Sequence, residues 1–220
     1  MIGIVCAMPS ESEHIIQNYN LVLDTDHTSF SIYKNNQIAL ITTKIGKIAA
    51  AAGTQYILSH FPVDKVINVG IAGSLDNSLE PGDVVIGTHT IQHDAIMPWE
   101  GDHLVHLRDD MQLPHIIDAQ NYAQVLDTHS VYNGGVATGD QFVEDKALLN
   151  QNKIAGKMVI EMEAFAVAMV CDIHNIPCLL LKGVSDKADG SATEDSEANI
   201  DLAMKNNILV LQSVITDLSK

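Results

Sequence analysis

Residues 157–174 read KMVIEMEAFAVAMVCDIH, and this stretch decides the fold because its character changes in the middle. Lys157–Ile160 is a short apolar run of strand type, whereas Ala164–His174 has the length and composition of a buried helix. A strand feeding directly into a helix is the building unit of an α/β protein. The junction holds two acids, Glu161 and Glu163, in otherwise oily surroundings. Burying an unpaired carboxylate costs on the order of several kcal/mol even after relaxation. The pair therefore demands a purpose.

The same alternation runs outward in both directions. Met1–Ala7 reads as a strand and Ser10–Tyr19 as a helix opened by a Ser10…Glu13 capping box. Ser31–Lys34 and Gln37–Thr43 form a hairpin around Asn35-Asn36. Lys47–His60 is an Ala-rich helix, and Lys65–Val69 is a strand running into a glycine turn, NVGIAGS. Strands are expected over Asp83–Gly87, Thr88–Asp94, Val131–Thr138 and Pro177–Val184. Helices are expected over Pro114–Leu126, Glu144–Asn150 and from about Glu197 to Leu218, with Met97–Asp110 a long polar loop. The class is α/β, a three-layer α-β-α arrangement around a central mixed, twisted sheet, in one domain spanning residues 1–220.

Composition narrows the function. At 46% hydrophobic and 5% aromatic residues, Ala, Val, Ile and Leu must fill the interior, which suits a sheet buried on both faces. The formal net charge is −16, and Arg108 is the only arginine. Nucleic acids and anionic membranes are bound through Lys and Arg, so neither is an expected partner. No apolar run has the length of a membrane span, and no basic leader precedes the first strand. Cys6, Cys171 and Cys178 all lie in apolar segments, an odd count that suits a reduced cytoplasm. The ten histidines are scattered; His103 and His106 have helical spacing but lack a companion acid, so no metal centre is expected.

In sheets of this kind, ligands bind beyond the carboxyl ends of the strands. Four stretches fall there: AMPSE at 7–11, NVGIAGS at 68–74, IEMEA at 160–164 and GVSDKAD at 183–189. Three of them carry acids, at Glu11, Glu161/Glu163 and Asp186. Converging carboxylates without basic partners suggest a site that stabilises positive charge. Each acid also has a plainer explanation. Glu13 belongs to the capping box, which leaves Glu11 free of capping duty, although a first-turn acid is ordinary dipole compensation. Glu161 and Glu163 could serve the helix they precede, and in extended chain they would point to one side. Ser185-Asp186 could be a turn or a cap.

Taken together, A-M-x-x-E at 7–11, Ile45-Gly46-Lys47, NVGIAG, TGDQF at 138–142, EMEA and the Ser185-Asp186 pair resemble the 5′-methylthioadenosine/S-adenosylhomocysteine nucleosidases of the nucleoside phosphorylase superfamily. The resemblance runs in register from Met1 to about Asp189, and its specific part is the EMEA and Ser-Asp pair. It implies hydrolysis of an adenine N-glycosidic bond with no cofactor, a nucleoside as the partner molecule, and a homodimer. By the same resemblance, Asp186 protonates adenine N7 with Ser185 orienting it, Glu163 holds the ribose hydroxyls, and Glu11 activates water. Glu161 supports the water and ribose network, Met162 contacts the sugar, Phe142 stacks on the base and the Val143 backbone reads its edge. Ala72 and Gly73 let the backbone approach the ligand. For Phe142 the alternative is core packing.

Three positions depart from the pattern. Ile71 stands where many relatives carry a small hydroxyl residue. Lys182 replaces an arginine, a point charge in place of a planar fork. The segment DGSATEDSEAN at 189–199 lacks the aromatic residue that covers the 5′ substituent in relatives. The rival functions are a phosphorylase, a binding protein without catalysis, and an NAD-dependent dehydrogenase. The first lacks arginine near VDKVINVGIAGS, the second would not need Glu11 and Asp186, and the third lacks G-x-G-x-x-G.

Overall fold

A computed structural model describes residues 1–24, 30–95, 110–114, 117–149, 156–190 and 192–218. Its strands are β1 (Ile2–Cys6), β2 (Val22–Leu23), β3 (Ser31–Lys34), β4 (Ile38–Thr42), β5 (Lys65–Ser74), β6 (Val84–Gln92), β7 (Asp110–Gln112), β8 (Val131–Thr138), β9 (Met158–Glu161) and β10 (Cys178–Asp186). The helices are α1 (Pro9–Tyr19), α2 (Lys47–His60), α3 (Ala164–Ile173) and α4 (Ala192–Leu218).

All the strands belong to one mixed sheet, in the order β10-β6-β8-β9-β5-β1-β4-β3-β2, with β7 on β6. Because β10 also pairs with β5, five strands close into a ring, and β1, β4, β3 and β2 extend from it as an open wing. Alternate side chains of each strand feed opposite faces. Ile4, Leu40, Ile67 and Leu181 join Ile15 of α1 and Met204 and Leu211 of α4 on one side. Val5, Ile41, Val66 and Leu180 join Ala50 and Ile57 of α2 and Phe165 and Val167 of α3 on the other. Helices thus cover both faces, as the hydrophobic strand runs imply.

Several sequence expectations need correction. NVGIAGS is no turn: β5 continues through it to Ser74 as ladder strand. Gly70 and Gly73 are there because neighbouring side chains fill the space where a Cβ would sit. The two strands expected between 83 and 94 are one strand with a register shift between Gly87 and His89. Where helices were expected over 114–126 and 144–150, the described residues form only 3₁₀ turns, Ala119–Tyr122 and Lys146–Leu148. Each starts at an aspartate, Asp118 or Asp145, whose side chain accepts the N–H two residues on, a local bond that competes with a full helix. Of the loop expected at Met97–Asp110, Asp110 opens β7 and the rest lies outside the described residues. Ser10…Glu13 is not a capping box. Proline at position 9 starts the helix one residue earlier, Met8 is the N-cap, and Glu11 accepts the Met8 N–H.

Candidate active site

The site is positioned by a change of partner along β5. On one edge, β1 pairs with Lys65–Asn68 and stops; β9 takes over only at Gly73 and Ser74. Between them the edge of β5 is open, and the segment after β1 curls into the gap. Glu11 fills it. Its Oε1 accepts the Ile71 N–H at 3.0 Å, and Oε2 accepts Ala7 N–H at 2.9 Å and Met8 N–H at 3.0 Å. A Cβ on Gly70 would lie 2.5 Å from Glu11 Oε1, so glycine is required for the carboxylate to lean on the strand. The expectation that Glu11 has no capping duty is therefore corrected: one carboxylate closes the helix start and satisfies the sheet edge.

Around this gap lies a cavity of about 200 Å³. Glu11, Ala72, Gly73, Phe142, Val143, Glu161, Met162, Glu163, Ser185 and Asp186 all line it; Lys182 alone among the sequence candidates does not. The sequence reading also missed Met8, Ile45, Gln141 and Ser196, which line it too. The first three sit inside quoted motifs, so the motifs pointed at the right segments without ranking the residues. Ser196 lies in DGSATEDSEAN, a segment marked only by its lack of an aromatic residue, and α4 begins earlier than its apolar pattern suggests.

Glu161 and Glu163 reach the cavity by different routes. Glu161 ends β9 and Glu163 is the N-cap of α3, so the chain bends between them rather than alternating along a strand. Glu161 is committed to protein groups. Its Oε1 accepts the Thr138 hydroxyl at 2.6 Å, Oε2 accepts Glu163 N–H at 3.1 Å, and both oxygens face Ala164 N–H. Lys182 Nζ lies 2.8 Å from its Oε2. Lys182 is 1% exposed and is paired in the ladder with Gly70, directly behind the acids. Burial pulls the lysine pKa down, but Glu161, Glu163 and Glu11 together push it above its ordinary value. This is one buried cation facing three buried acids.

That imbalance sets the titration of the wall. Glu163 is pushed up from 4.5 to about 8, first by burial and next by Glu161, against the pull of Lys182 and of a hydrogen bond from Gly46. Burial also raises Glu11, while Lys182 and its three backbone donors hold it down. At the opposite end Asp186 is raised by burial, countered by the Ser185 hydroxyl. Ser185 Oγ donates to Asp186 Oδ2 at 2.8 Å, and Ala188 N–H donates to Oδ1 at 3.0 Å. Gly73 is hollow for this acid, since a Cβ there would meet Asp186 Oδ1 at 2.7 Å. Phe142 is 53% exposed at the cavity, so core packing does not explain it. A wall of this kind can hold a proton at one end, polarise water at the other and stabilise a cation between them.

A family model described as the phosphorylase superfamily matches residues 1–216. This chain belongs to the phosphorylase superfamily. Within it, the chain is 35% identical to a Haemophilus influenzae protein named 5′-methylthioadenosine/S-adenosylhomocysteine nucleosidase, in an alignment covering 99% of each. Its fold superposes with a TM-score of 0.87 on the Neisseria meningitidis nucleosidase of that name in complex with methylthio-immucillin-A, at 28% identity and 98% coverage of both chains. A futalosine hydrolase from Helicobacter pylori is also similar, with a TM-score of 0.83, 25% identity and coverage of 98% of this chain and 97% of that one. The mixed sheet with helices on both faces is the architecture of this superfamily.

Proposed function

We propose that this protein is an N-glycosyl hydrolase that releases adenine from 5′-methylthioadenosine and S-adenosylhomocysteine, leaving the 5′-substituted ribose. The observation carrying the proposal is the convergence of Glu11, Glu163 and Asp186 on one cavity whose lining, among the described residues, includes no lysine or arginine. Breaking the C1′–N9 bond leaves an oxocarbenium-like sugar, and adenine leaves poorly as an anion. Asp186, whose pKa is raised mainly by burial, supplies the proton to N7, with Ser185 fixing the carboxyl. Glu163 holds the ribose hydroxyls and stabilises the developing cation. Glu11, anchored by three backbone donors, takes a proton from the attacking water. Met162 packs on the sugar, Phe142 stacks on the base and the Val143 backbone reads its edge. Glu161 serves at one remove, by holding Lys182 and the start of α3. Acid, base and water suffice, so the reaction needs no cofactor.

The carboxylate wall also opposes the phosphorylase alternative, because phosphate would meet acids where it requires cations. Chromatography of methylthioadenosine reactions with and without phosphate tests the choice. Adenine and free methylthioribose at equal rates in both buffers are expected; accumulation of a ribose 1-phosphate would refute hydrolysis. The same proposal includes a homodimer. Ile45, which lines the cavity, and Ile48, which shares a neighbouring depression with it, are 55% and 85% exposed, apolar surface that a second copy would cover. A monomer with full activity by light scattering at assay concentration would contradict it. No helix among the described residues is long and apolar enough to cross a membrane, and the three free cysteines are buried, which suits the expected cytoplasmic setting.

A further inference from the structure

The Glu163 carboxylate is held by an amide whose own place is fixed from outside the cavity. Gly46 donates its N–H to Glu163 Oε1 at 2.7 Å. Gly46 is the N-cap of α2 with φ of 101°, a conformation that L residues rarely adopt. The N-cap glycine has no side chain to cap this helix and its first turn holds no acid, so nothing within the segment pins its start. The pinning comes from Lys47. Its N–H donates to Asp140 Oδ1 at 2.8 Å. Its Nζ donates to Asp94 Oδ1 at 2.7 Å, Asp94 Oδ2 at 2.9 Å and Gln92 Oε1 at 3.2 Å, and lies 3.7 Å from Asp140 Oδ2. Asp140 N–H closes the circuit on Asp94 Oδ2 at 2.8 Å. One ammonium thereby ties together the end of β6, the loop after β8 and the start of α2. Lys47, Asp94 and Asp140 do not line the cavity, but their chain neighbours Ile45 and Gln141 do.

We propose that Lys47 is a positioning residue for glycosidic cleavage: by bridging Asp94 and Asp140 it holds the Gly46 amide against Glu163 and so sets how that carboxylate meets the sugar. The inference rests on the hydrolase reading of the site given above. Around Glu163, Glu161 and Glu11 oppose its ionisation, and Lys182 with the Gly46 amide favours it. On the outer side, His93 stands between Asp94, Lys47 and Glu161, with its own pKa lowered mainly by burial. Because two aspartates neutralise the Lys47 ammonium, its influence on Glu163 passes through the amide. Loosening the amide raises the Glu163 pKa further, so a larger share of the enzyme is protonated there at neutral pH.

The test is kcat/KM for methylthioadenosine across roughly pH 5.5 to 9.5 in wild type, Lys47→Met, Lys47→Arg and Asp140→Ala. Losing a hydrogen bond to a charged acceptor is expected to move the acidic limb of Lys47→Met up by about one pH unit. Activity below the limb then falls about tenfold and recovers at high pH. Asp140→Ala, at a side chain 48% exposed, should shift the limb the same way by less. Lys47→Arg, which can still bridge the two acids, should stay close to wild type. An unmoved limb in both Lys47→Met and Asp140→Ala overturns the proposal, whether activity falls evenly at every pH or not at all. Should Lys47→Met fail to fold, Asp140→Ala decides alone. Failure of the wild type to release adenine would instead overturn the hydrolase reading, and this inference with it.

Discussion

Glu163→Gln should separate stability from activity in opposite directions, and pH should control the first. The amide keeps the size of the acid and can accept the Gly46 N–H, so it mimics the protonated carboxyl. In the folded protein Glu163 titrates at about 8 against 4.5 for an ordinary glutamic acid, because burial and Glu161 outweigh Lys182. A group whose folded pKa is raised contributes its full stability below the unfolded pKa and loses it as pH climbs through the folded one. Here that window runs from 4.5 to about 8. At 1.36 kcal/mol per pH unit, ionised Glu163 costs the fold on the order of 4–5 kcal/mol once the window is crossed. The glutamine variant escapes that cost. At pH 5 the two proteins should melt within about 2 °C of each other. At pH 9 the variant should melt at least about 5 °C higher, taking roughly 2–4 °C per kcal/mol for a chain of this size and allowing for proton exchange among the three acids. Differential scanning calorimetry at both pH values gives the gap, and adenine release gives the other half. Turnover should drop at least about a hundredfold, since a neutral amide cannot stabilise the sugar cation. A melting gap that is the same at pH 5 and pH 9 would refute the titration argument, and unchanged turnover would remove Glu163 from the chemistry.

Asp186→Asn should lower kcat by at least about a hundredfold while shifting affinity for an unreactive substrate analogue by less than about tenfold, because it keeps hydrogen bonding but cannot deliver the N7 proton; loss of binding too would make Asp186 a recognition residue. Gly70→Ala drives a methyl group against Glu11 Oε1 and should destabilise by about 1–3 kcal/mol in denaturant titration with a matching loss of turnover; a neutral result would mean Glu11 has room to move. Lys182→Arg keeps the charge beside Glu161 and should change kcat/KM by less than about tenfold, about 1.4 kcal/mol of barrier. A larger fall would show that this interior is shaped for the slimmer lysine.

What the sequence revealed and what it concealed follow one physical division. Periodicity found α2 to the residue, Lys47–His60, and β8 likewise, because long apolar patterns are set by burial. It misread NVGIAGS, since two glycines signal a turn locally and only the approach of Glu11 and Asp186 from other segments explains them as strand. The capping box failed for a similar reason: Ser10 and Glu13 have the right spacing, but Pro9 and the exposed edge of β5 recruit Glu11 instead. The carboxylates of the site were legible as chemistry, and ten of the eleven candidates line the cavity. Their supports lay inside quoted motifs, but what those residues hold did not show. Gly46, Thr138 and Lys47 act through bonds spanning 117, 23 and 47 positions of chain, and no local pattern encodes such pairings.

The two hollow positions of β5 make that strand a ruler. Gly70 cups the carboxylate that would prepare the water, and Gly73 cups the one that would protonate the departing base. Three residues of extended chain span about 10 Å, so the two acids lean on the same backbone at fixed and separate places. Hydrogen bonding to β10 along most of its length keeps the strand from stretching or sliding. Were Glu11 and Asp186 to act as base and acid, their places would thus be set by the backbone itself. Side chains around the pocket can then vary to suit a different 5′ group without disturbing the gauge.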